Sequence, residues 1–98
     1  MNIQAMMKQA QKMQKDMLNT KEEIEKKIFT AQSSLVTVEV MGNKKINKIK
    51  IDSADLELDD IEMLEDMIVT AVNDAMKQID KETELKMGKF TNGLPGLF

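Results

Sequence analysis

The spacing of apolar residues changes period twice along this chain, and each change narrows the fold. Ile3, Met6, Ala10, Met13, Met17, Thr20 and Ile24 recur in alternating steps of three and four. At about 100° per residue these positions share one side of an α-helix, so the spacing predicts a helix over roughly Asn2 to Glu23. Between about Glu25 and Asp52 the period drops to two. Val36, Val38 and Val40 alternate with Thr37, Glu39 and Met41, and Ile49 and Ile51 alternate with Lys48 and Lys50, as in strands with one apolar face. "KKIFTAQS" is read as a further strand before these. Gly42-Asn43 stands where a two-residue hairpin turn belongs, with glycine supplying a positive φ. Ile46 is out of phase with Ile49, which predicts a bulge or a late strand start. The helical period returns over about Asp60 to Lys86, where Ile61, Leu64, Ile68, Ala71, Val72, Ala75, Met76 and Ile79 form a stripe broad enough to cover a sheet. Asp59 and Glu62 have the offset of a capping box, and Gly88 reads as a helix stop.

The order is therefore α-β-β-β-α: an α+β protomer with long N- and C-terminal helices and a three-stranded antiparallel sheet. Residues 1–88 read as one dimerising domain and 89–98 as a flexible tail, since the closing "GKFTNGLPGLF" holds three glycines and the only proline. A chain of 98 residues buries a modest core, and one helix covers only one face of a sheet. A homodimer would enlarge the core and cover the remaining sheet and seam.

Composition narrows the function. There is no cysteine and no histidine, which removes thiolate chemistry, the commonest general base and the commonest imidazole metal ligand. No nucleophile–base pair can be assembled, so the expectation is a protein that is not an enzyme, with no cofactor, no metal and no small-molecule substrate. No apolar run is long enough to span a membrane and the start is too polar for a secretory signal, so the expected location is the cytoplasm. The net charge of −3 hides a division: residues 1–50 hold ten lysines and five acids, and residues 51–98 hold four lysines and twelve acids.

Lys8, Lys12 and Lys15 are spaced by four and three and lie opposite the methionine seam, flanked by Gln9 and Gln11. Such a row either solvates the outside of an amphipathic helix or meets successive phosphates, with the amides bonding phosphate oxygens or base edges. The chain has no arginine, tyrosine or tryptophan, which disfavours bidentate guanine contacts and stacking on unpaired bases and leaves phosphate-dominated duplex binding. The methionine seam reads as core or dimer packing, or else as an adaptable surface for protein clients, as in a small dimeric chaperone or adaptor. Lys44, Lys45, Lys48 and Lys50 form a second basic cluster on the hairpin, and Asn73-Asp74 suggests a cap or a packed polar contact in the second helix.

"MMKQAQKMQ", "VTVEVMGNKKINKIKID", "MLEDMIVTAVNDA" and the closing "GLPGLF" resemble, in order and along the whole chain, the YbaB/EbfC family of bacterial nucleoid-associated proteins. The resemblance implies an α-β-β-β-α homodimer in the nucleoid. It implies binding of double-stranded DNA with low sequence stringency, altering DNA conformation and influencing nucleoid organisation and gene expression. Carried over by position, it points to Lys8, Lys12 and Lys15 and to Lys77 and Lys81 of the second helix. Asp80, Glu82 and Glu84 surround the latter pair.

Overall fold

Asn2 starts the first helix: its side-chain oxygen accepts from the backbone N–H groups of Gln4 at 3.0 Å and Ala5 at 3.4 Å, satisfying donors that a helix N-terminus leaves open. In this computed structural model, which describes residues 2–91, helix α1 spans Ile3–Lys26. One extended residue, Lys27, joins it to strand β1 (Ile28–Ser33). Strands β2 (Val36–Met41) and β3 (Ile46–Ile51) follow, then a short 3-10 turn (Leu58–Asp60) and helix α2 (Ile61–Thr91). The α-β-β-β-α order expected from the periodicity is the order found.

The strands form one antiparallel sheet in the order β1-β2-β3. The β1–β2 turn is tight and places a positive φ of 50° on Ser34. Glu39 stands opposite Lys48, and the next pair is Val40 with Ile46. Asn47 is thus the extra residue of a bulge, which accounts for the phase of Ile46.

The β2–β3 turn differs from the expected two-residue form. Lys44 N–H donates to Met41 C=O at 2.7 Å and Met41 N–H donates to Lys45 C=O at 2.9 Å, closing a three-residue loop whose left-handed residue is Lys44 (φ 70°) rather than Gly42. Gly42 serves another end. A Cβ built on it would lie 1.7 Å from the carbonyl oxygen of Ile24. Asn43 N–H also donates to Glu25 C=O at 3.3 Å, so the hairpin satisfies a carbonyl that the end of α1 leaves open.

Two helix boundaries move. The capping box lies on the 3-10 turn that leads into α2 and joins Glu57 to Asp60 rather than Asp59 to Glu62, the Asp60 carboxylate accepting from Glu57 N–H at 3.0 Å. Gly88 does not stop α2, which continues to Thr91 and buries Phe90 to 5% exposure. The burial of Met87 and Phe90 carries the helix past the glycine. Residues 89–91 of the expected tail are therefore helix, and the rest of it lies outside the described residues.

The core sits between α2 and one sheet face. Val36, Val38 and Val40 meet Ala71, Ala75 and Ile79, all almost fully buried; the two alanines let the helix lie close to the strands. Beyond the sheet, α2 carries α1. Ile24 shares a small cleft with Ile79, Thr83 and Met87, and Met13 and Met17 pack on the cluster that includes Met87 and Phe90. The helices thus run antiparallel as a projecting arm. The longest dimension is 71 Å and the radius of gyration is 19.5 Å, against about 13 Å for a compact chain of this size.

Gly42→Ala and Gly88→Ala should have opposite signs. At Gly42 the new methyl meets backbone, and a loss of about 3 kcal/mol or more is expected. At Gly88, where nothing lies within 4 Å of an added Cβ, helix propensity should add about 0.5–1 kcal/mol. Urea unfolding of the two variants measures both.

Candidate nucleic-acid interface

Lys8, Lys12 and Lys15 are all exposed on α1 and, among the described residues, form no ion pair. Their direction follows from the packing. The inner half of the seam (Met13, Met17, Thr20, Ile24) faces α2 and is half-buried or buried, so the lysines opposite it point away from the arm. Gln9 and Gln11 are exposed beside them. The outer half of the seam is uncovered, with Ile3 and Met6 more than half exposed and Ala10 exposed. Helix α1 runs three residues past the end expected from spacing and so includes Lys26, which lies eleven residues past Lys15, about three turns on, and continues the same row. From Lys8 to Lys26 the row extends about 27 Å. No acidic residue occupies the first turn of α1, so the positive end of its dipole is unopposed there.

Lys77 and Lys81 are exposed on the outer side of α2, away from the Ile79, Thr83 and Met87 line that meets α1. The two expected lysine sets therefore occupy different sides of the arm. Lys81 does join Lys27 and Lys86, which sequence spacing does not connect, around a groove of about 420 Å³ between β1 and α2. In that groove Lys27 Nζ meets Glu82 Oε1 at 2.7 Å, and Lys86 Nζ lies 3.6 Å from Oε2. The Lys27 hydrogen bond, helped by the charge of both lysines, holds the Glu82 carboxyl below its ordinary value of 4.5 against the opposing effect of burial. Gln78 donates to the outward carbonyl of Thr30 at 3.1 Å, fixing α2 to the edge of β1.

The hairpin lysines divide. Lys44 pairs with Asp80 at 2.9 Å, while Lys48 and Lys50 stand on the sheet face that α2 leaves open, beside Thr30, Thr37 and Glu39. Asn73 and Asp74 are exposed rather than packed. The acids gather at the other end of the molecule: residues 51–76 hold nine acidic residues and no lysine, on the segment after β3, the 3-10 turn and the sheet-covering half of α2. No described helix is long and apolar enough to cross a membrane.

A helix-backed three-stranded sheet bearing a two-helix arm places the protein among small α-β-β-β-α proteins. The crystal structure of an uncharacterized protein from Helicobacter pylori shares this fold, with a TM-score of 0.67 and 23% identity over 86% of this chain and 90% of that one. The sequence profile described as the YbaB/EbfC DNA-binding family matches residues 1–94, and the chain belongs to that family. A nucleoid-associated protein of Lactococcus lactis subsp. cremoris is 50% identical over 97 residues, covering 97% of this chain and 98% of the relative. A nucleoid-associated protein of Ligilactobacillus salivarius is 42% identical over 99 residues, covering 99% and 95%.

The Glu82 pair gives a pH test with a definite sign. A carboxyl held below its unfolded value adds stability at neutral pH that disappears as pH falls through the folded-state value. Glu82→Gln should therefore lower the urea midpoint at pH 7, and the gap from the parent should close as pH is taken below 4.5. A gap that stays constant down to acid pH would show that the charge of Glu82 contributes nothing.

Proposed function

We propose that this protein is a nucleoid-associated homodimer that binds duplex DNA through backbone phosphates, with little discrimination between sequences, and changes the path of the DNA. The observation that carries the reading is the exposed row of Lys8, Lys12 and Lys15 on a projecting arm, without ion pairs among the described residues. Ammonium groups along a rod can follow a phosphate backbone and release its counterions. Lysine alone, with no arginine in the chain, suits phosphate contact better than the reading of base edges. Location in the nucleoid rests on the names of the bacterial relatives.

The homodimer is supported by what the protomer leaves uncovered. Ile46, Ile49 and Ile51 lie on the α2 side of the sheet, opposite Val40, Val38 and Val36, yet all three are exposed. Leu58 of the 3-10 turn and Ile61 and Met63 at the start of α2 are exposed as well. A second copy laid against this strip would remove that apolar surface from water and give the assembly two arms.

Engagement of three lysines per protomer should give a dimer a log–log salt slope of about −5 for duplex binding. Changing Lys8, Lys12 and Lys15 together to Gln should weaken binding about tenfold or more at low salt, equally across unrelated sequences, and flatten the slope. Fluorescence anisotropy over a salt series measures both, and an unchanged affinity would reduce the row to a solvated face. Ile49→Asp should convert the dimer to monomer in sedimentation velocity.

A further inference from the structure

The groove between β1 and α2 holds an arrangement that the lysine row on α1 does not. Two ammonium groups, those of Lys27 and Lys86, meet a single carboxylate there, and Lys81 lines the same groove. Glu82 takes Lys27 at 2.7 Å through one oxygen. Its other oxygen lies 3.6 Å from Lys86, out of contact with solvent and without a hydrogen-bond partner. The side chain of Glu82 is only 20% exposed, whereas those of Lys27 and Lys86 are about half exposed. Phe29 also lies against Lys27, with the ammonium 5.3 Å from the ring centre. Two lysines converging on two oxygens of one anion is the geometry in which a phosphodiester, with its two non-bridging oxygens, would be held. Lys27 directly follows Lys26, the last lysine of the α1 row.

We propose that this groove is a second phosphate-binding site and that Glu82 is its internal competitor, an anion that occupies Lys27 and Lys86 and so holds down the protein's affinity for duplex DNA. The proposal rests on the DNA-binding reading above. In the parent protein the groove adds less attraction, because Glu82 offsets one of its positive charges and holds both Lys27 and Lys86, so an approaching phosphate meets a carboxylate. Removing the charge at residue 82 while keeping its shape frees the lysines and adds a contact to those made by α1. The chemistry required is that of the duplex backbone, independent of base sequence.

The experiment compares parent, Glu82→Gln, Glu84→Gln and the triple variant Glu82→Gln/Lys27→Gln/Lys86→Gln in anisotropy titrations of one labelled duplex over a salt series. Glu84 is exposed, does not line the groove and, among the described residues, forms no ion pair, so it controls for the same change in net charge. Glu82→Gln should bind about tenfold tighter at low salt with a slope steeper by about 1 per protomer, one added phosphate each. Glu84→Gln should gain much less, and the triple variant should lose the gain. Parent-like binding by Glu82→Gln, an equal gain in Glu84→Gln, or a gain that survives loss of both lysines each overturns the proposal. If the parent binds through α1 and Glu82→Gln changes nothing, this inference fails alone. If neither protein binds, the DNA-binding reading fails with it. Binding only by Glu82→Gln sustains the competitor role.

Discussion

The approach of Gly42 to the carbonyl of Ile24 fixes where the arm points. The end of α1 is wedged onto the β2–β3 turn, where backbone groups of Gly42 and Asn43 donate to Lys27 and Glu25. Only one residue separates α1 from β1, so the helix has no slack with which to swing. The Lys27–Glu82 pair and the Gln78–Thr30 bond hold α2 to the same corner from the other flank. The lysine row on α1 is therefore set at a fixed angle to the sheet. A surface that follows a stiff polyanion gains from such preorganisation, since little ordering is left to be done on contact.

Helix α2 carries two unlike tasks in one element. Its first half lies on the sheet through Ala71 and Ala75, and its second half, beyond Ile79, offers Met87 and Phe90 to α1. The first task needs small residues and close approach; the second needs long, adaptable side chains between two helices. Because α2 lies over β1 and β2 rather than β3, the apolar face of β3 is left over. Ile46, Ile49 and Ile51 on that face are accordingly exposed.

Local periodicity made much of this legible. The two helices, the three strands, the bulge near Ile46 and the outward direction of Lys8, Lys12 and Lys15 all follow from residue spacing, because each depends on neighbours within a turn or a pleat. What escaped depends on contacts between distant segments. Gly42 looked like a turn glycine, but its real constraint is a carbonyl eighteen residues earlier. Gly88 looked like a helix stop, yet burial of Met87 and Phe90 outweighs about 1 kcal/mol of glycine propensity. Glu82 looked like one acid among several on an acidic helix; its tie to Lys27 spans fifty-five residues. Lys26 was within reach of spacing alone and was lost only through the placement of the helix end.

The same geography resolves how a chain of net charge −3 can attract a polyanion. Screening at physiological salt limits exposed charges to a range of about 8 Å, whereas this molecule is 71 Å long. The nine acids of residues 51–76 sit on the sheet end, and Lys8, Lys12 and Lys15 sit on the arm with no acid before Asp16. A phosphate beside the arm therefore responds to the local row rather than to the sum over the chain. An acidic end repels a polyanion, so any phosphate contact of the proposed kind would fall on the arm. Glu82 lies between these regimes, at the root of the arm and within screening range of Lys27 and Lys86, so a single carboxylate there governs whether the basic surface ends at Lys26 or continues into the groove.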